Sequence, residues 1–558
     1  MLLIPFISTD AAGMKTFQSK EELERFINMR MNATLIFDSP SISIFEASRN
    51  NLAAKSSNDY STTNIQVEGV DEADIVKTDG ERIFLASNNK IYIIKAFPAY
   101  EMKIISMLEI DGNIHGLFIK GNNLVIIYSK SILILDEILK KIIRPRHHVW
   151  LYMDVYDIAD KPNRIGSIAI DGWYIASRMV ENYVYMVSIQ PIRKIELPRI
   201  SIDGFEITIP PNSIYYSEAI DRPYGFTIIT AVDISSPSLM AAKAVLTGST
   251  TDIYMSKNNL YVAFPKFRFT TELYRISIKG LDISCKNGLE VPGMIINQFS
   301  MDEYDGYFRV ATTSTNGNNI YVIRVDDMKI VGKLEGLAYG ERIYSARFMG
   351  DRCYLVTFKI IDPLFTIDLS NPLEPRVLGE LKIPGFSQYL HPYDNNHLIG
   401  IGRDVILSEY GDFAWHQGLK ISLFDVSNVS YPKEVSSIII GDRGTYSPVL
   451  FDHHAFLLIK EKNMFVIPIL EIEKLSDAPP WEYGKPIFQG AYVFKISYEG
   501  IILIGKISHC DSNYYEVKRC VYIDNALYTI SDAKVKANSL IDLSEIHELK
   551  IHELILTK

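Results

Sequence analysis

The chain is predicted to be all-β, assembled from repeated four-stranded antiparallel units, and three observations predict this. Composition is the first. Of 558 residues 47% are hydrophobic, Tyr (33) and Phe (26) far outnumber Trp (4), and isoleucine is used freely. β-Branched and aromatic side chains suit a pleated, half-buried surface better than a helix. The second is a recurring signature of Asp, an aliphatic residue, small polar residues and then Pro. It runs Asp157-Ile158-Ala159-Asp160-Lys161-Pro162, Asp233-Ile234-Ser235-Ser236-Pro237, Asp368-Leu369-Ser370-Asn371-Pro372, and Asp425-Val426-Ser427-Asn428 with Pro432 following. Such residues form tight turns, because short polar side chains bond local backbone and proline presets φ. The third is an Asn, Asp or Gly pair opening an apolar strand, as in Asp79-Gly80, Asn122-Asn123, Asn258-Asn259, Asn318-Asn319, Asn395-Asn396 and Asp524-Asn525. Such pairs tolerate the positive φ of hairpin turns.

From the N-terminus, the apolar run Leu2–Ile7 is shorter than a signal-peptide core and has no basic region before it. It could be the remnant of a clipped signal or anchor. No transmembrane span is visible. Ser19-Lys20-Glu21-Glu22 is a capping-box pattern, and Leu23, Phe26 and Ile27 continue at helical spacing, so a short helix is expected. Residues 47–63 read as a linker. The chain thus divides into an N-terminal segment, 1–63, and a repeat region, 64–558.

Repeat units fall near 71–110, 112–171, 173–249, 250–293, 294–341, 342–384, 385–443, 444–508 and 513–555. Units of this size cannot bury both faces alone and stack radially into a β-propeller. Eight or nine blades are expected, nine being favoured because both terminal segments are long enough for four strands. The proline-rich stretch 190–226 is expected to be an irregular surface loop.

A net charge of −10 and the lack of a basic stripe argue against a nucleic-acid partner. Four cysteines without a CxxC pair exclude a ribbon or finger zinc site. Cys510 and Cys520, flanked by strand-like text, could bridge a hairpin as a disulfide or remain thiols. Asn32-Ala33-Thr34 and Asn428-Val429-Ser430 are glycosylation sequons that permit a surface location. No Gly-x-Ser-x-Gly elbow, P-loop, HExxH or dinucleotide fingerprint occurs, so covalent and nucleotide chemistry have no motif.

Two clusters carry candidate chemistry. Glu68, Asp71, Glu72 and Asp74 offer hard oxygen ligands of the kind Ca²⁺ or another divalent metal prefers. As strand residues Glu72 and Asp74 share one face and Asp71 takes the other. The alternative is a clasp in which they bond backbone where the chain enters the ring. His391, Asp394 and His397, with Asp442 and Arg443 later in the same unit and Asp452, His453 and His454 in the next, form a possible polar or ligand site. A hairpin at Asp394-Asn395-Asn396 could bring His391 and His397 together. Arg443 beside Asp442, and Arg403 beside Asp404, could form ion pairs between blades.

The acidic segment 63–80, with Tyr389-Leu390-His391-Pro392-Tyr393-Asp394-Asn395-Asn396-His397, Leu419–Ser427, Ile440–Ser447 and Asp452-His453-His454-Ala455-Phe456, resembles a family of secreted prokaryotic proteins. These carry a C-terminal β-propeller domain distantly related to WD40 repeats, and the resemblance covers residue 14 to the end. It implies an extracellular or cell-surface location and no established activity. The leading expectation is therefore a non-enzymatic binding or scaffold module that meets a protein or glycan partner through the propeller faces. The rivals are a metal-dependent hydrolase or lyase sited at the central channel and a cell-envelope structural component.

Overall fold

The structure is a computed structural model that describes residues 12–32 and 59–551, apart from 139–141, 193, 219, 221–222, 251, 267–268, 359–361, 409–412 and 511–514. Nine antiparallel sheets follow one another along the chain. We number them as blades 1 to 9: 76–109, 113–171, 173–247, 252–292, 301–337, 342–383, 386–440, 457–508 and 517–550. Each is a meander of four strands, and the count among the described residues settles at nine. The first strand of each blade lies innermost. Val76, Leu85 and Tyr92 of blade 1 pack with Tyr528, Ile530 and Val535 of blade 9, so the ring closes by side-chain packing between two complete blades.

The Asp signature acts as its chemistry requires. Asp157, Asp233, Asp368 and Asp425 each accept a hydrogen bond from the backbone N–H two residues on, at 2.8–3.0 Å. All four stand between the third and fourth strands of their blades. The Asn pairs mark the first-to-second strand turn in most units. Asn318 and Asn319 are displaced: they are buried, open the third strand of blade 5, and bond Leu337 O and Gly336 N.

Two expectations change. The stretch 190–226 is not irregular throughout. Arg199–Ile202 and Phe205–Thr208 form a hairpin on the outer edge of blade 2, and Ile214–Tyr216 pairs in parallel with the outer strand of blade 3. The proline text concealed these short edge strands. The N-terminal helix α1 (Lys20–Asn32) is also part of the propeller body, since Phe17, Leu23 and Ile27 are fully buried against Ile214 and Tyr216. Each such burial stabilises by roughly 1.5–3 kcal/mol. Ser19 Oγ accepts from Glu22 N at 3.2 Å, and the Glu22 carboxylate accepts from Gln18 N at 2.7 Å, a capping box reaching one residue further back than the usual pattern. The apolar run 2–7, most of the linker and Ala33-Thr34 of the first sequon lie outside the described residues.

Candidate functional site

The acidic segment crosses the central channel. Tyr60 bridges Ile523 of blade 9, and Asn64 Nδ2 donates to His453 O (3.0 Å) and Phe456 O (3.3 Å) ahead of blade 8. Gln66 Nε2 reaches Gln298 O (3.0 Å) and Met301 O (3.1 Å) at blade 5. Val70–Glu72 then pairs with the inner strand of blade 3, and Asp74 pairs with Leu117 of blade 2 before blade 1 begins. Two glycines permit this path. Gly69 turns the chain at φ +82°, and a Cβ on Gly116 would stand 2.8 Å from Ala73 Cβ.

This route separates the four carboxylates, which share no common ligand set. Glu68 is exposed. Asp71 faces Lys77, with Oδ1 2.8 Å from Nζ. Glu72 and Asp74 are buried at 1% and 6% exposure. Asp74 receives Arg519 Nε at 2.9 and 3.1 Å and Arg519 Nη2 at 2.8 Å, and the same guanidinium binds Asp452. Asp452 Oδ1 lies 2.8 Å from His454 Nδ1, whose Nε2 is 3.7 Å from Glu72 Oε2. Arg178 completes the circuit at 3.5 Å from Glu72 and 3.1 Å from Gln298 Oε1. Three acids, Glu72, Asp74 and Asp452, thus face three cations, Arg178, Arg519 and His454.

The protonation states follow from these contacts. Burial alone would lower the His454 pKa, but Asp74 and Asp452 outweigh it and raise it to about 9. Burial opposes ionisation of Asp452 as well, yet Arg519 and His454 hold its carboxyl well below the usual range. Asp452 keeps 37% of its side chain exposed and therefore remains accessible to water. His453 differs. Burial, with His454 next, pushes its pKa well down, and both ring nitrogens lack a hydrogen-bond partner.

Glu72, His453 and His454 bring one ligand atom each to within 4.8 Å of one another. Two imidazoles and one carboxylate suit Zn²⁺ rather than Ca²⁺, which takes six to eight oxygens. The fit is poor, however. His454 would have to surrender a proton held by two carboxylates, and a divalent ion would adjoin two guanidinium groups.

The other predicted residues disperse. His391 is buried on the inner strand of blade 7 with Nδ1 2.6 Å from Tyr389 OH. Register sets Ile399 opposite His391 and His397 opposite Asp394, so the hairpin keeps the two histidines apart. His397 bonds Asp394 at the turn instead, at 2.9 Å. Asp442 accepts from Lys474 N at 2.8 Å. Arg443 donates to His416 O at 2.9 Å and stacks over Trp415 and Tyr483, while Arg403 donates to Thr445 O at 2.6 Å. Among the described residues neither Arg443 nor Arg403 forms the expected ion pair between blades; both bond backbone carbonyls instead. The disulfide is not formed either. Cys510 follows the last strand of blade 8 and Cys520 lies on the first strand of blade 9, and both are free thiols.

Sequence reading missed Arg178, Arg347 and Arg519. A signal was present: each is an arginine on the first, innermost strand of its blade. The reading also missed an aromatic seam at the opposite, second-to-third strand end of blades 6 to 8. There Phe413 (40% exposed), Trp415, Trp481 (55%) and Tyr483 (67%) gather around Arg443. A recess of about 470 Å³ beside it is lined by Tyr344, Phe358 and His416.

Residues 60–543 match the profile of the Beta propeller domain family. An uncharacterized protein of Methanocaldococcus jannaschii is 32% identical, over 88% of this chain and 81% of that protein. One from Archaeoglobus fulgidus is 26% identical over 98% and 96%. Among solved structures, Chaetomium thermophilum Sqt1 is 11% identical over 66% of this chain and 83% of its own, with a TM-score of 0.35, too low to bear on chemistry.

Proposed function

The chain belongs to the beta propeller domain family, and on that premise we propose that it is a non-enzymatic binding or scaffold module for a protein or glycan partner. The observation that carries this reading is the exposed Phe413-Trp415-Trp481-Tyr483 seam with Arg443 stacked between two of its rings. Exposed aromatic patches on a soluble surface mark interaction sites, and Trp, Tyr and Arg are the residues that concentrate binding energy. The channel favours the same reading, since its charged groups largely pair with one another around the crossing segment. Resemblance to secreted propeller proteins extends the proposal to an extracellular or cell-surface location.

A panel of immobilised glycans and an affinity pull-down, each run with wild type and a Trp481→Ala/Tyr483→Ala variant, test it. The proposal expects a partner that the variant loses while its melting temperature holds. Partners retained equally by both proteins would contradict it. A second reading, a metal-dependent hydrolase or lyase, is favoured only by Glu72, His453 and His454. Elemental analysis of dialysed protein discriminates: stoichiometric zinc would support the enzyme, and metal-free protein with a chelator-insensitive melting temperature would support the scaffold.

A further inference from the structure

At the first-to-second strand end of the channel lies a recess of about 650 Å³ between blades 5 and 8, closed on one side by Gln66 of the crossing segment. That volume is in the range of small-molecule sites. Arg347 lines it. The residue is only 5% exposed, its guanidinium stands 5.4 Å from the Phe299 ring centre, and its Nε has no hydrogen-bond partner. Among the described residues no carboxylate reaches it at ion-pair distance. Asp302, which shares the recess, is engaged by Arg309.

A buried guanidinium without a counter-ion is a costly arrangement. The cation–π contact with Phe299 does not offset that cost. Burial accordingly lowers the Arg347 pKa, with Tyr389 and Asp302 only partly offsetting it, and the guanidinium stays charged. Water alone does not supply the missing negative charge. An anion does.

We propose that this recess binds a small organic carboxylate, its charged end on Arg347 and its body against the aromatic side chains of an otherwise polar lining. Three features select that ligand. The planar fork of Arg347 matches a carboxylate bidentately. Phe299, Met301, Phe348 and Tyr393 supply apolar wall for more than a bare ion. At the rim, Asp351 and Asp394 offset Arg352 and Lys460, so a single negative charge is wanted and a polyphosphate is disfavoured.

Isothermal titration of the full chain with 3-phenylpropionate, its neutral amide and inorganic phosphate tests the site. Saturable binding of 3-phenylpropionate is expected, with Kd on the order of 1 mM or tighter. The amide should bind at least about tenfold more weakly, since it lacks the charge-assisted hydrogen bonds. Arg347→Met should lose binding, and Arg376→Gln, exposed on the outer strand of the same blade and outside the recess, should keep it within about threefold. If Arg347→Met fails to fold, Arg347→Lys replaces it, keeping the charge without the fork and weakening binding by about tenfold. No saturable binding, equal affinity for amide and acid, or preference for phosphate would each overturn the proposal.

Discussion

Two buried arginines of one channel are treated in opposite ways. Arg519, on the inner strand of blade 9, is held by Asp74 and Asp452 and leans on backbone at Lys518 O. Arg347, on the inner strand of blade 6, meets a phenyl ring and an open recess. The difference comes from the path of the crossing segment. It delivers Glu72 and Asp74 to blades 2, 3, 8 and 9, and it brings only the neutral amide of Gln66 to the side of blades 5 and 6. Paired charge of the first kind serves the ring. Unpaired charge of the second kind is kept for something that is not part of the chain.

The largest effect expected from breaking this contrast is on the Arg519 side. Arg519→Met strands Asp74 in the interior and should cost about 3 kcal/mol by denaturant titration, the lower end for a broken buried pair because Asp452 retains access to water. Adding Asp74→Asn should recover part of that loss, and the cycle of the two single variants and the double variant measures the coupling. Additive losses would mean that the two residues do not act as a pair.

The pH profile sharpens the comparison next. His454 has a folded pKa of about 9 against 6.5 unfolded, so its contribution is fully present below 6.5 and is lost as pH rises through 9. That loss amounts to about 3 kcal/mol at most. His391 and His453 have the opposite sign. Burial depresses both, so the unfolded chain takes up protons that the folded one refuses, and stability falls as pH drops below 6.5. Stability should therefore peak near pH 6.5, and His454→Gln should flatten the alkaline limb alone. An alkaline limb unchanged in that variant would contradict the charge assignment. The smallest effect belongs to the exposed seam, where Trp481→Ala should change stability by no more than about 0.5 kcal/mol.

Much of the architecture could be read from local chemistry. Asp157, Asp233, Asp368 and Asp425 announce their turns because the bond each forms spans two residues, and with the Asn, Asp and Gly pairs that open second strands they set the spacing of the units. The site was less legible, since its contacts join distant parts of the chain. Asp74 and Arg519 are 445 positions apart, and nothing near either names the other. His391 and His397 misled for the converse reason, as closeness in sequence suggested a contact that hairpin register forbids. The disulfide failed likewise: Cys510 and Cys520 flank a blade boundary, where neighbouring text belongs to different sheets.

Arg519→Met and Arg347→Met are the same chemical change in the same channel, and their melting temperatures, measured side by side at pH 6.5 in protein freed of bound anions, test this distinction most directly. Removing Arg519 should lower the transition sharply. Removing Arg347 should leave it unchanged or raise it, because an uncompensated buried charge has gone. Equal falls in both variants would contradict the account, showing that Arg347 is as much a part of the scaffold as Arg519.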